Sequence, residues 1–405
     1  MKELYNFNSR ISRKDTYAEK YDARADKFGR DEVIPLWIAD MDFAVSPAIQ
    51  KSLFERVEHP IYGYTGYYGE YSDSIVRWMT KSHSWEIERD WILPIGSVVS
   101  GLKLAVDLFS EEGDGVIIQP PIYPPFYQAV RTQNRRVLEN RLIIEDGAYR
   151  IDFEDFESKA RDAKLFLLCS PHNPTGRVWS REELLRLVAI CKKHNVIIVS
   201  DEIHSDLTYQ TPHTPIASMD GAKEITITLN SPAKSFNIMG IVSAYAIIED
   251  SKLREQFQAP FLRYSLAHPN LLSMVATRSA YTQSDKWLDE VKSYLSENLA
   301  YIHQRLEIIP KIKAMPTEAT FLLWLDCREL QLEDEELQIF FVSMGIGLNQ
   351  GVDFGSGGEG FMRLNFAMPR DVLREVFDRV EICVNPKNQG SITNYSQKKD
   401  FENRL

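Results

Sequence analysis

Four short apolar segments in the middle of the chain limit its possible folds most strongly. They are short and mainly apolar, and three of the four are rich in β-branched residues: Gly115–Gln119 (GVIIQ), Leu165–Ser170 (LFLLCS), Val196–Ser200 (VIIVS) and Glu224–Leu229 (EITITL). Strands that expose one face to water alternate apolar and polar residues, whereas strands covered on both faces are apolar throughout. The segments therefore predict the central strands of a mainly parallel sheet.

Helical patterns separate these segments. Ser180–Asn195 carries apolar side chains at helical spacing, and Ser180 with Glu183 forms the sequence of a capping box. Another helical pattern precedes Gly115, so strands and helices alternate as they do in α/β proteins. After about residue 250 the helical patterns become longer and are interrupted by Ala319–Asp326 and Gly360–Phe366. These two segments predict strands of a smaller α+β unit.

The chain is long enough for two units. Its 405 residues exceed the roughly 100–200 of a typical domain. We expect a large domain at residues 46–285 and a smaller domain formed by residues 286–385, onto which residues 1–45 pack. Residues 386–405 are mostly polar, which predicts a flexible tail.

Composition and spacing argue against several classes of protein. The 47 Lys+Arg and 58 Asp+Glu give a net charge of −11, which disfavours nucleic-acid binding. No run approaches 18 apolar residues and the N-terminus lacks a signal-peptide pattern, so we expect a cytoplasmic protein without membrane contact. The four cysteines form no C-x-x-C pair and the eight histidines are scattered, which predicts neither disulfides nor a metal site.

Four polar residues follow or occupy predicted strands. Asn173, Asp201 and Lys234 each come after one, and Arg363 lies within the last. Parallel sheets bind ligands at the carboxyl ends of their strands. A pyridoxal phosphate enzyme needs four such groups. It needs an amide for the ring hydroxyl of the cofactor and a carboxylate for the pyridine nitrogen. It also needs a lysine that forms the Schiff base and an arginine that binds the substrate carboxylate. A single loop lysine is more often solvated, but the presence of Asn173, Asp201 and Arg363 favours the interpretation that Lys234 binds a cofactor.

Six motifs, in this order, resemble the MalY/PatB group of cystathionine β-lyase-like C–S lyases, within the class I/II aminotransferase superfamily. They are Trp37–Phe43 (WIADMDF), Gly63-Tyr64, Ser170–Trp179 (SPHNPTGRVW), Asp201–Leu207 (DEIHSDL), Lys234–Gly240 (KSFNIMG) and Gly360–Arg370 (GFMRLNFAMPR). The resemblance extends from about residue 17 to about residue 383. It implies the fold-type-I architecture of PLP-dependent transferases and the cofactor pyridoxal 5′-phosphate.

The resemblance also implies roles for individual residues. Lys234 would hold the cofactor and then remove the Cα proton of the substrate, while Asp201 would keep the pyridine nitrogen protonated. Asn173 would donate a hydrogen bond to the ring hydroxyl, with His204 nearby, and Tyr123 would stack on the ring. From the residues alone, His204 could equally be a core histidine and Tyr123 a packed turn residue.

Phosphate and substrate groups are implied in the same way. The phosphate would be bound by Ser97, the backbone amides around Val98 and Val99, Ser231, and the partner subunit's Tyr64. Because Tyr64 would act across a subunit boundary, we expect a homodimer. The substrate carboxylate would be bound by Arg363 and Asn173, and Ala39 would line the substrate entrance.

The expected reaction is α,β-elimination on an L-cysteine S-conjugate such as cystathionine or cystine, which yields pyruvate, ammonia and a thiol. Transamination uses the same residues before the β-substituent leaves, so it remains an alternative, as does a regulatory protein that acts through a partner surface. Ala233 and Pro124 stand where some relatives have hydroxyl side chains, which predicts weaker phosphate binding and a different substrate pocket. The acid pair Asp40 and Asp42 is interpreted as structural.

Overall fold

A seven-stranded sheet forms the centre of the structure, a computed structural model that describes residues 5–66, 69–264 and 270–384. The strands are, in chain order, β1 (Ile34–Pro35), β2 (Ile92–Ile95), β3 (Gly115–Ile118), β4 (Arg136–Glu139), β5 (Ile143–Glu145), β6 (Ala148–Arg150), β7 (Ala163–Cys169), β8 (Ile197–Asp201), β9 (Thr226–Asn230), β10 (Ala244–Ile247), β11 (Lys313–Ala314), β12 (Leu322–Asp326), β13 (Ile346–Gly347), β14 (Asn349–Gln350) and β15 (Phe361–Asn365). The α-helices are α1 (Glu19–Asp22), α2 (Arg24–Phe28), α3 (Pro47–Glu58), α4 (Gly69–His83), α5 (Val98–Phe109), α6 (Pro125–Arg131), α7 (Phe153–Ala160), α8 (Arg181–His194), α9 (Ser251–Arg263), α10 (Leu271–Gln283), α11 (Asp285–Leu306), α12 (Asp334–Ser343) and α13 (Arg370–Val384).

The large sheet has the strand order β2-β10-β9-β8-β7-β3-β4. Strands β9, β8, β7, β3 and β4 run parallel to one another, and β10 is antiparallel to both of its neighbours. The four apolar segments correspond to β3, β7, β8 and β9, which confirms the predicted parallel centre. Their shared carboxyl edge is therefore the expected place for a ligand.

Successive side chains of the central strands enter two different cores. Leu165 and Leu167 of β7 pack with helices α5 and α6, whereas Phe166 and Leu168 pack with α7 and α8. Each of these four residues is fully buried. Coverage of both faces explains why the stretch Leu165–Leu168 of β7 shows no alternation of apolar and polar residues. The predicted α/β architecture with helices on both sides of the sheet is confirmed.

The capping box predicted at Ser180 and Glu183 is present at the start of α8. Ser180 Oγ accepts a hydrogen bond from the Glu183 amide at 3.2 Å, and Glu183 Oε2 accepts one from the Ser180 amide at 2.8 Å. Asn195, with φ of 55°, ends the helix in the left-handed conformation that asparagine tolerates. Local sequence therefore fixes both ends of this crossover helix.

Strands β2 and β10 were not predicted from the sequence. Strand β2 contains Pro94, which cannot donate a ladder hydrogen bond, and it lies at the edge of the sheet, where proline is tolerated. Strand β10 contains two alanines among its four residues, and alanine is depleted in strands. Neither segment therefore has a strong local strand pattern.

A four-stranded sheet with the order β11-β12-β15-β14 lies in the C-terminal third, and all of its pairings are antiparallel. It contains both strands predicted there, β12 and β15. The N-terminal segment joins this region, because β1 pairs with β13 and Ile34 lies opposite Ile346.

The predicted domain boundaries stay a prediction, and the predicted tail at 386–405 lies outside the described residues. Among the described helices, none is both long and apolar enough to span a membrane.

Candidate active site

A cavity lies at the carboxyl edge of the central strands. Cys169 ends β7 and Asp201 ends β8, and these two residues are register partners in adjacent parallel strands. Lys234 lies in the loop that follows β9, and the N-terminus of α5 reaches the same cavity. Three neighbouring strand ends and one helix start therefore converge at the place where parallel sheets bind ligands.

Asp201 is a buried carboxylate at the end of β8. It is 5% exposed, and its Oδ1 accepts a hydrogen bond from the Ile203 amide at 3.1 Å. It forms no ion pair with another described residue. Burial raises the pKa of Asp201 to about 7, although the Ile203 amide and Lys234 act in the opposite direction. A cationic group in the cavity would stabilise the ionised form.

Lys234 presents its amine to the cavity beside a backbone carbonyl. Its Nζ donates a hydrogen bond to the Ala39 oxygen and forms no ion pair within the described chain. Burial, followed by the positive charge of Arg363, lowers the pKa of Lys234 to about 8, while Asp40 and Asp201 act to raise it. A lysine of this kind loses its proton more easily than a surface lysine, which suits a nucleophile or a base.

Arg363 is buried in β15 and is joined to Asn173 of the large unit. Its Nη1 donates to Asn173 Oδ1 at 3.1 Å, and its Nη2 donates to the Trp37 oxygen and to Asn349 Oδ1, both at 2.8 Å. Among the described residues, its Nε has no hydrogen-bond partner and no carboxylate pairs with the guanidinium. Burial lowers the pKa of Arg363 to about 10. The side chain can therefore bind an incoming carboxylate.

His204 and Tyr123 also line the cavity. His204 is 3% exposed, its Nδ1 has no hydrogen-bond partner among the described residues, and burial holds its pKa well below the usual range. The ring is therefore neutral. The Tyr123 amide donates to the Asn173 oxygen at 3.1 Å, so the backbone holds these two residues together.

The start of α5 provides a site for an anion. Ser97 is the N-cap residue, its Oγ accepts a hydrogen bond from the Ser100 amide at 3.0 Å, and Val98 and Val99 follow. A helix N-terminus carries a partial positive charge and free amides, which favours phosphate. In the same cavity, Ser231 Oγ accepts from the Ala233 amide at 3.1 Å, and Ser243 Oγ is buried without a hydrogen-bond partner among the described residues.

Most of the predicted site residues meet in this cavity. Those that line it are Ala39, Ser97, Val98, Val99, Tyr123, Asn173, Asp201, His204, Ser231 and Lys234. Arg363 reaches the site through its hydrogen bond to Asn173. Tyr64 does not line it and has a fully exposed side chain, so its predicted role requires a second copy of the chain. Ala233 lines the cavity, whereas Pro124 does not.

Sequence reasoning missed other lining residues, namely Gly96, Cys169, Ile203, Met239, Val242, Ser243 and Ala244. Cys169 is 3% exposed and lines the cavity at the end of β7. Its place at the end of a central strand next to Asp201 was the signal that could have identified it. Asn349 was missed because the two-residue strand β14 has no distinct sequence pattern.

The acid pair Asp40 and Asp42 binds cations of its own N-terminal segment. Arg13 contacts Asp40 Oδ2 at 2.7 Å and Asp42 Oδ1 at 2.8 Å, and Lys20 contacts Asp42 Oδ2 at 3.0 Å. These contacts agree with the structural interpretation of the pair. Within the residues described, no group of three or more His, Cys, Asp or Glu side chains could hold a metal ion.

Comparisons with known proteins agree with this geometry. The sequence profile "Aminotransferase class I and II" matches residues 31–380. Cystathionine β-lyase PatB of Bacillus subtilis is 41% identical over 386 residues, which cover 94% of this chain and 100% of the relative.

Two solved structures are also similar. A PLP-bound putative aminotransferase from Clostridium difficile 630 has a TM-score of 0.92 and 40% identity, covering 94% of this chain and 100% of the other. The PLP-bound C–S lyase from Staphylococcus hominis has a TM-score of 0.88 and 31% identity, covering 94% and 98%. The two descriptions name different reactions on one architecture.

Proposed function

Because the chain belongs to the class I and II aminotransferase family and to its MalY/PatB group, we propose that it is a PLP-dependent C–S lyase that acts on L-cysteine S-conjugates. The observation that carries the proposal is a set of three ionisable groups, the buried Asp201 and Arg363 and the partly buried Lys234, none of which has an ion-pair partner within the described chain. Leaving charges buried without partners is costly, so such groups are retained where a ligand compensates them.

Pyridoxal 5′-phosphate fits these groups. Asp201 can partner a protonated pyridine nitrogen, the amine of Lys234 can bond the aldehyde carbon, and the α5 N-terminus with Ser231 can bind the phosphate. Asn173 would contact the ring hydroxyl, and Tyr123 would contact the ring face. When bound, the cofactor supplies an electron-accepting ring that stabilises negative charge at the substrate Cα.

The chain's own residues then do three things. Arg363 binds the substrate α-carboxylate through two parallel hydrogen bonds and so orients the Cα–H bond. The Lys234 nitrogen accepts the Cα proton, for which its lowered pKa suits it. Loss of the β-thiolate needs little acid assistance, because a thiolate is a stable leaving group. The remaining three-carbon fragment is released and hydrolyses to pyruvate and ammonia.

Transamination is the second candidate, and the C. difficile structure with its aminotransferase description favours it specifically. The purified protein should be incubated with cystathionine, and pyruvate, ammonia and free thiol measured. A parallel incubation adds a keto acid and measures the corresponding amino acid. Thiol and pyruvate in equal amounts without a keto acid support the lyase. Amino-group transfer that depends on the keto acid, without thiol release, contradicts it.

Replacement of Arg363 by lysine should lower kcat/KM about 30-fold, the equivalent of about 2 kcal/mol for a charged hydrogen bond. Lysine keeps the charge but cannot form two parallel hydrogen bonds to a carboxylate. The affinity for PLP should stay unchanged, as measured by absorbance titration. Arg305→Lys is the control, because Arg305 contacts Asp378 at 2.7 Å and Glu381 at 2.8 Å. An unaltered kcat/KM in Arg363→Lys would exclude the carboxylate role.

We also propose a homodimer, supported by the complete exposure of Tyr64 outside the cavity of its own chain. Tyr64→Phe removes only the hydroxyl that would contact the phosphate of the other subunit. Its PLP affinity should fall about 10-fold, consistent with the loss of one charged hydrogen bond. Tyr62→Phe is the control at a nearby exposed tyrosine. A purified monomer with full lyase activity, shown by analytical ultracentrifugation, would refute the dimer.

A further inference from the structure

The backbone of residues 37–42 contacts the two cations of the site. The Trp37 oxygen accepts a hydrogen bond from Arg363 Nη2 at 2.8 Å, and the Ala39 oxygen accepts one from Lys234 Nζ. These residues belong to one short N-terminal segment, whereas Lys234 and Arg363 lie more than a hundred residues apart. The position of this segment therefore fixes acceptors for both cations at once.

The same segment is held by two further buried groups. Asn365 Nδ2 donates to the Ile38 and Asp40 oxygens, both at 2.6 Å. Lys20 Nζ donates to the Asp40 oxygen at 3.2 Å and to Asp42 Oδ2 at 3.0 Å. Lys20 has no exposed surface. A buried lysine is costly unless it is paired, so these contacts keep α1 and the segment together.

The charges of this cluster balance one another. Arg13 and Lys20 provide two positive charges, and Asp40 and Asp42 provide two negative charges. Asp40 lies next to Ala39, whose oxygen accepts from Lys234. Replacement of Lys20 or Asp40 by a neutral residue therefore changes the charge near the Lys234 amine, although neither side chain lines the cavity.

We propose that Lys20 is a positioning residue for Lys234: it holds the 37–42 segment so that the Ala39 carbonyl faces the amine, and its charge offsets that of Asp40 beside the site. The inference rests on the proposed PLP-dependent function. Lys20 itself does not line the cavity, so it acts through the segment and through its electric field.

Lys20 and Asp40 have opposite electrostatic effects on the pKa of Lys234. Lys20 lowers the pKa of the Lys234 amine, whereas Asp40 raises it. Arg363 also lowers this pKa and Asp201 also raises it. The other titratable groups at the cavity are His204, Tyr123 and Cys169, all with pKa values shifted toward their neutral forms by burial. The loss of Lys20 and the loss of Asp40 should therefore change protonation at Lys234 in opposite directions.

The test uses Lys20→Met and Asp40→Asn in the cofactor-loaded protein. The measurement is the pH midpoint of the visible absorption band, which reports protonation of the Lys234 nitrogen. Lys20→Met should move the midpoint upward and Asp40→Asn should move it downward. Each shift should be about 0.5–1 pH unit, as expected for the loss of one nearby charge. Lys20→Arg keeps the charge and should stay near the wild type. Lys51→Met is the control, because Lys51 is an exposed lysine on α3 that pairs with Glu55.

Opposite shifts support the proposal, whereas shifts in one common direction, or none, overturn it. If Lys20→Met does not fold, Lys20→Gln, which keeps a polar end on the side chain, takes its place, and a midpoint that does not rise overturns the proposal. A wild-type protein that titrates normally but releases no thiol would contradict the proposed lyase function instead. Failure of one proposal is thus separable from failure of the other.

Discussion

Lys234→Ala should abolish lyase turnover, with kcat reduced by at least about 10⁴-fold, because one side chain provides both the covalent attachment and the base. Alanine cannot bond the cofactor or accept the Cα proton. The visible absorption of the bound cofactor should disappear or shift, while weak noncovalent binding through the phosphate site remains. Absorbance spectra before and after dialysis, together with pyruvate release, measure both effects.

Lys192→Ala is the matched control for this substitution. Lys192 lies on α8, is half exposed and pairs with Glu224 at 3.1 Å. Its replacement should leave the spectrum and kcat unchanged. Retention of the native spectrum and of more than about 1% of kcat in Lys234→Ala would assign the covalent and base roles to a different residue.

Asp201→Asn should lower kcat about 10³-fold, the upper range for the loss of one electrostatic contact to a developing charge. The amide has nearly the same shape as the carboxylate but carries no negative charge, so it does not favour a protonated pyridine nitrogen. The protein should fold and bind PLP, because the phosphate site and Lys234 are intact. Steady-state kinetics and the pH dependence of the absorption spectrum measure the change.

Glu202→Gln provides a control at the next residue. Its carboxylate binds His213 Nε2 at 2.8 Å and Ser200 Oγ at 3.0 Å, and it does not line the cavity. We expect lower thermal stability in this variant, but kcat within about threefold of the wild type, because the Glu202 carboxylate contacts His213 and Ser200 and does not line the cavity. Equal losses of kcat in both variants would mean that Asp201 acts through folding rather than through the ring nitrogen.

The sheet and most of the site were predictable because their signals are local. A strand buried on both faces is continuously apolar, and the polar residue that follows it in a parallel sheet lies at the ligand-binding edge. Asp201 shows both steps, since it follows VIIVS and its side chain lies in the cavity. Family resemblance then supplied roles for the remaining residues.

The missed contacts depend on backbone atoms and on distant parts of the chain. The Ala39 carbonyl meets Lys234 across 195 residues, and no residue type marks a carbonyl that will accept such a hydrogen bond. Lys20 stands among charged residues in a segment whose composition is typical of an exposed helix. Only the fold shows that this lysine is completely buried against Asp42.

The pairing of β1 with β13 also has a consequence for the order of events during synthesis. Ile34 is translated more than three hundred residues before its partner Ile346. The sequence separation between Asp40 and Asn365, which donates to the Asp40 oxygen, is larger still. Contacts of such wide sequence separation close late and carry a large loop entropy. The large sheet can form as the ribosome releases it, but the carbonyls that face Lys234 and Arg363 reach their places only when nearly the whole polypeptide has emerged.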